Sequence, residues 1–357
     1  MHALWKRVAA CAAIAGLALA STACSFLPGK GESTPEPAKP SVSPIIAASE
    51  EYYASVSPYV PNQTRGMLAS YEFRVDFSHL ELGLMEIARE TFPSDKYLFR
   101  EGQQLKREQV SAWIARKKQN PEALNPEKGP RTFIHILEHD YLDKEGRQLA
   151  GIVLGISLSP VYQDAAGVEK EYTRDELRAK GQQLAAQAVS KLRVDNPTVP
   201  MVVALYQVPP KNSTLVPGRF IMSGTVNAQE SAVSKWLPIE EDYLLFPSDV
   251  AEKSQPQTSL QYDKLRKSIQ SYFGEFIGMT GLGRYSSGEL TELTITATAE
   301  YDSRTEVLQF TQYAGGLIEQ LFDKNVHVNL YVQSINQPLA IYVRPVEGKP
   351  YMHIYRK

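Results

Sequence analysis

Residues 149–158 read LAGIVLGISL. The run carries no charge, is rich in Ile, Leu and Gly, and is shorter than an ordinary buried helix. It therefore predicts a strand covered on both faces. Downstream, Thr173 and Glu176 have the spacing of a capping box. They open a predicted helix running to about Leu192, with Leu177, Leu184, Ala185, Ala188 and Leu192 as its apolar stripe. Pro197 and Pro200 end it, and Val202–Gln207 and Arg219–Ser223 predict two further strands. The unit is strand, long helix, strand, strand.

That order recurs toward the C-terminus. LTITATA at 293–299 alternates strictly and predicts a strand with one polar face. Ser303 and Glu306 form another capping box, opening a helix with Val307, Phe310, Ala314, Leu317, Ile318 and Leu321 on its buried side. VNLYVQ at 328–333 resembles VALYQ at 203–207, and KPYMHIY at 349–355 resembles PGRFIMSG at 217–224. From cap to final-strand Met the distance is 49 residues in both units, Thr173 to Met222 and Ser303 to Met352. The expected fold is α+β: two related repeats, each a mostly antiparallel sheet packed by a long helix. Two unrelated α+β units are the alternative.

Working outward, the first body spans 51–226. Its early part predicts a helix from Ser78 to Phe92, with Ser78 and Glu81 as a capping box and Leu80, Leu84, Met85, Ala88 and Phe92 on one face. A strand at 97–101, a helix at 107–117 carrying Val110, Trp113 and Ile114, and a strand at 131–137 follow. Pro209, Pro210, Asn212 and Gly218 read as the turn between the last two strands. Residues 227–256 read as a connector with aromatic anchors, WLPIEEDYLLFPSD, and the second body as 257–357. A helix is expected from Tyr262 to Phe276, with Leu265, Ile269, Phe273 and Phe276 on one side.

Charge and cysteine content exclude several functions. With 38 Lys and Arg against 40 Asp and Glu, the formal net charge is −2, and no basic patch points to nucleic acid. The only cysteines are Cys11 and Cys24, so the body has neither disulfides nor thiol chemistry.

Both cysteines belong to the N-terminal leader. Lys6 and Arg7 precede an uncharged run from Val8 to Ala23, which is short for a membrane span and fits the apolar region of a secretory signal. Ser21, Thr22 and Ala23 are the small residues before Cys24, the arrangement of a bacterial lipoprotein signal over residues 1–23. Lipidation of Cys24 would hold the protein at the outer face of the cytoplasmic membrane. An ordinary cleaved signal is the competing reading. Residues 24–50, rich in Pro, Ser and Glu, read as a tether.

Three stretches carry a resemblance to a known family: GLMEIARETFPSDKYLFREGQQL at 83–105, ILEHDYL at 136–142 and EEDYLLFPSD at 240–249. The chain resembles the CamS family of sex-pheromone-precursor lipoproteins. The resemblance implies a Gram-positive source, two CamS repeats, and a short hydrophobic peptide released from the signal just upstream of the lipidated cysteine. Here that peptide would be Leu17, Ala18, Leu19, Ala20, Ser21, Thr22 and Ala23. No molecular role for the repeats comes with it.

Several motifs in the body could carry chemistry. His135, Glu138 and His139 spell H-x-x-E-H, which on a helix binds zinc, but RTFIHILEHDYL reads as a strand. Gly278, Gly281 and Gly283 lie after a helix and before more loop, the wrong context for a phosphate loop and that of a helix C-terminal turn. Glu240, Glu241 and Asp242, or Glu138 and Asp140, are the acidic clusters an acid/base pair would draw on. Tyr97, Phe99, Trp113, Tyr206 and Tyr331 are candidates to line a groove for an extended ligand, with core packing as the alternative. No cofactor and no metal are expected. The reading is a membrane-anchored lipoprotein with a non-enzymatic body of unknown ligand. The alternatives are a surface module binding peptide or cell-wall glycan on or between the repeats, and a cell-envelope hydrolase.

Overall fold

The protein is represented by a computed structural model that describes residues 52–70, 74–145, 147–164, 166–209, 216–273, 277–301 and 303–356. The apolar run at 149–158 is the central strand of a seven-stranded sheet, and from Gly151 onward it is buried on both faces. In chain order this part comprises β1 (Ala54–Ser55), α1 (Phe77–Ala88), β2 (Tyr97–Glu101), α2 (Arg107–Ile114), β3 (Phe133–Asp143) and β4 (Leu149–Leu158). A small hairpin, β5 (Val161–Gln163) and β6 (Glu169–Glu171), leads to α3 (Arg174–Asp195), β7 (Met201–Gln207), β8 (Arg219–Val226) and β9 (Lys235–Pro238). The sheet order is β1-β2-β3-β4-β7-β8-β9.

The capping box at Thr173 forms as expected: its hydroxyl accepts from Glu176 N–H while the Glu176 carboxylate accepts from Thr173 N–H. The helix it starts carries the chain across from β4 to β7, which pair in parallel. α2 and α3 cover one face of the sheet over a core that includes Trp113, Ile152, Leu154, Leu177 and Leu205. α1 covers the other face over Ile134, Val153, Val202 and Phe220.

The second part comprises β10 (Glu241–Phe246), α4 (Asp249–Ser254), α5 (Pro256–Phe273), β11 (Gly278–Ser286), β12 (Glu289–Thr298), α6 (Arg304–Leu321), β13 (His327–Gln333), β14 (Pro338–Arg344) and β15 (Tyr351–Ile354). Its six-stranded sheet runs β10-β11-β12-β13-β14-β15. The duplication extends to the strand pairing. From β2 to β9 and from β10 to β15, neighbouring strands pair antiparallel, antiparallel, parallel, antiparallel, antiparallel. The parallel step is bridged by α3 in one repeat and α6 in the other, and the first step by α2 and α5.

Several expectations need correction. KPYMHIY is β15, the counterpart of β9 rather than of β8. The true counterpart of β8 is β14, PLAIYVR, which was not foreseen, so the shared 49-residue span joins unlike strands. The cap of α1 is Asp76, whose carboxylate accepts from His79 N–H, and Ser78 already lies inside the helix. GMTGLGRY is not a helix-end turn but most of β11. Gly281 and Gly283 face the core there, where a Cβ would stand 2.6 Å from Tyr262 and 3.0 Å from Phe246. Residues 227–256 are taken up by both sheets: β9 closes the first and β10 opens the second, with the junction at Ile239 and Glu240. Phe276, and Pro210 and Asn212 of the predicted turn, lie outside the described residues.

Candidate functional site

Among the described residues α1 has no counterpart in the second repeat. It stands on the face of the first sheet that α2 and α3 leave open, and no described helix covers the equivalent face of the second sheet. That bare face looks across a gap at α1.

α1 is amphipathic, and its buried side holds Leu80, Gly83, Leu84 and Ala88. Gly83 lets the helix sit close: a Cβ there would lie 2.3 Å from the Phe220 ring. The opposite stripe, His79, Leu82, Glu86 and Arg89 at spacings of three and four, faces the gap. The second sheet answers with a face fixed by register. One row across it is Tyr243, Arg284, Glu292 and His327. The next is Leu282, Thr294, Asn329, Val343 and Tyr351, and beyond it lie Tyr331 and Ile341. The polar side of LTITATA is part of this wall. The opposite side chains of the same strands, Leu293, Ile295, Val328 and Leu330, fill the core under α5 and α6.

Between the walls is a cleft of about 960 Å³. Four of its lining residues are exposed apolar or aromatic side chains: Tyr52 (52 %), Leu82 (49 %), Tyr331 (42 %) and Tyr351 (58 %). They come from both walls, where an unoccupied surface would favour polar residues.

The walls are tied together by charge. Arg284 donates through Nε to Glu241 Oε1 and through Nη2 to Glu86 Oε2, both at 2.8 Å, joining β11, β10 and α1. Glu241 also accepts from the Phe220 N–H at 2.7 Å and from the Tyr243 hydroxyl at 3.0 Å, and that hydroxyl lies 3.2 Å from His79 Nε2. Burial pushes the Glu241 carboxyl up, but His79, Arg284 and the Phe220 N–H outweigh it and hold it below the usual range. Burial and the Glu241 charge together raise the Tyr243 hydroxyl. On the other side of β10, Arg174 and Arg178 of α3 pair with Glu240, and Arg174 and Arg219 with Asp242. The three consecutive acids read as an acid/base cluster are thus the lock between the repeats.

The residues put forward from sequence do not gather in this cleft. Trp113 and Tyr206 are 1 % and 0 % exposed and lie in the two cores of the first repeat, while Tyr97 and Phe99 pack against the α1-side core. Tyr331 alone lines the cleft. His135 and His139 share one side of β3, in the core beneath Phe77 and Phe99, and burial pushes them down to about 4 and about 3. Among the described residues no group of three His, Cys, Asp or Glu is placed to hold a metal ion. Glu138 is buried, accepts from the N–H groups of Gln104 and Leu105, and is pushed well up by burial and by neighbouring Asp140. Asp140 pairs with Arg100. Cys24, the 24–50 tether and the peptide Leu17 to Ala23 lie outside the described residues, and among the described helices none is long and apolar enough to cross a membrane.

The cleft residues missed from sequence had weak signals: Leu82 is an apolar residue on the polar side of a predicted helix, and Asn329 and Tyr331 lie on the less apolar side of VNLYVQ.

Comparison with known proteins gives a family and a fold. Residues 59–349 match the family described as CamS sex pheromone cAM373 precursor. The crystal structure of a sex pheromone precursor from Lactobacillus salivarius subsp. salivarius superposes with a TM-score of 0.77 at 22 % identity, covering 89 % of this chain and 99 % of that one. The C-terminal domain of the sex pheromone staph-cAM373 precursor from Staphylococcus aureus gives 0.68 at 24 % identity, covering 78 % of this chain and 96 % of that one. No curated protein matches the chain.

Proposed function

This chain belongs to the CamS sex pheromone cAM373 precursor family, and on that premise we propose that it is a lipid-anchored extracytoplasmic protein whose body binds a ligand without transforming it. Cys24 is the acceptor of the lipid, and the segment Leu17 to Ala23 is the peptide freed when the signal is processed. The tether at 24–50 spaces the two repeats from the outer face of the cytoplasmic membrane.

The observation that carries the binding role is the cleft. Exposed Leu82, Tyr331, Tyr351 and Tyr52 converge on it from both walls, and its size is that of a ligand site. The carboxylates that line it are engaged from within the protein, Asp76 accepting from His79 N–H, Glu86 from Arg284 and Glu292 from Asn329, which suits structural anions rather than proton shuttles. The ligand is sought among peptides and cell-wall components, the molecules present at that face.

Anchoring is tested by expressing the wild type and Cys24→Ser in a Gram-positive host and sequencing the mature N-terminus by mass spectrometry. The expected result is a diacylglyceryl group on Cys24 in the membrane fraction, and release of the variant. An unacylated wild type in the soluble fraction would overturn the anchoring.

A further inference from the structure

We propose that the cleft between α1 and the second sheet takes an uncharged oligosaccharide. This inference rests on reading the cleft as the ligand site.

The charge of the lining speaks first. Asp76, Glu86 and Glu292 stand against Arg89 and Arg284, so the cleft is close to neutral. Most of these groups are already answered from within the protein. Asp76 caps α1, Glu86 holds Arg284, and Glu292 accepts from Asn329 Nδ2 at 3.0 Å. Arg89 aside, a phosphorylated or strongly basic ligand would find few charges left to pair with, and most of its desolvation would go uncompensated.

The backbone speaks second. Peptides are commonly held by adding a strand to an open sheet edge, where main-chain N–H and C=O groups are free. The cleft is walled mainly by the face of the sheet, and β10 and β15, which contribute Tyr243 and Tyr351, are the edge strands in the rows that line it. β11, β12, β13 and β14 are each paired on both sides, so their backbone groups are consumed within the sheet. What they offer the cleft is side chains alone.

Those side chains suit pyranose rings. A sugar ring has an apolar C–H face and a rim of hydroxyls that both donate and accept. Tyr331 and Tyr351, two strands apart and so separated by about 10 Å across the sheet, provide broad faces for the first. Beside them runs a planar polar chain for the second: His327 Nε2 lies 3.2 Å from Asn329 Oδ1, and Asn329 donates to Glu292. Amide, imidazole and carboxylate groups have donor and acceptor capacity beyond the bonds they make to one another, which sugar hydroxyls can use. Leu82 and Tyr52 add apolar surface to the same cleft.

The test is calorimetric titration of the purified full-length protein in detergent with cellotetraose, chitotetraose and maltotetraose, and with an uncharged hexapeptide as the opposing arm. We expect at least one tetrasaccharide to bind below about 1 mM. Tyr331→Ala and Asn329→Ala should each weaken that binding about tenfold, while Tyr331→Trp retains it, with all three variants melting as the wild type does. Three outcomes overturn the inference. Tyr331-dependent binding of the hexapeptide without any sugar keeps the cleft as the site and removes the sugar class. Sugar binding indifferent to Tyr331 and Asn329 places it elsewhere. Absence of binding in every arm removes both the sugar and the cleft.

Discussion

Arg284 on β11 reaches Glu86 on α1 at 2.8 Å, while its Nε holds Glu241 at the same distance, so one guanidinium spans both repeats. The two bonds differ in environment. The Glu86 side chain is 42 % exposed and that of Glu241 is 5 % exposed. Glu86→Ala is therefore expected to cost under about 1 kcal/mol, as surface pairs do. Arg284→Ala strands a buried carboxylate and is expected to cost about 3 kcal/mol. Urea denaturation of the two variants decides this, and equal losses would mean that Glu241 is satisfied without the arginine.

The position of α1 rests on Gly83. Alanine is the better helix former by about 1 kcal/mol, so Gly83→Ala would stabilise a free helix. Here the added Cβ meets Phe220 at 2.3 Å and must push α1 off the sheet. We expect a net loss of about 1–3 kcal/mol, as for an overpacked core. Phe220→Leu in the same chain should recover part of it. A stabilised single variant in thermal melts would show that the helix docks less tightly than the geometry implies.

How far the sequence foretold this architecture depends on whether the decisive information was local. The Thr173 box and the strict alternation of LTITATA are local patterns, and both form as read, the second even supplying the polar wall of the cleft. β11 was hidden because its glycines are explained only by Tyr262 and Phe246, which come from elsewhere in the chain. α1 is capped at Asp76 rather than at the Ser78–Glu81 box because a single Asp side chain accepting from His79 N–H suffices as a cap, a signal less specific in sequence than the box. The aromatic residues failed as guides for a related reason. Tyr206 and Tyr331 occupy matching positions in paired repeats, VALYQ and VNLYVQ. One lies under α1 and the other faces the cleft, because among the described residues only the first sheet has a helix on that side.

The buried polar residues of β3 make stability depend on pH. His135 and His139 are pushed down to about 4 and about 3, while an unfolded chain protonates them near 6.5. Between those values the unfolded state binds more protons, so stability falls as pH falls, by up to about 1.4 kcal/mol per pH unit for each histidine. Glu138 acts the other way. Its raised carboxyl stays protonated in the fold, so its contribution is present below the unfolded pKa and is lost as pH rises. Between pH 5 and 6 we expect His139→Phe to flatten the pH dependence of urea stability and Glu138→Gln to steepen it. Parallel curves for both variants would show that these groups titrate alike in the folded and unfolded states.

A ligand in the cleft between α1 and the second sheet should be within reach of a reactive group placed there. The most direct measurement places a photoreactive benzoylphenylalanine at Leu82 in the cleft or, as control, at Val194 on α3, which is 79 % exposed and lies on the far face of the first sheet. Both proteins are irradiated in intact cells and their adduct masses read after purification. A defined adduct is expected at position 82 and none at 194. Equal labelling at both positions, or labelling at 194 alone, would contradict it.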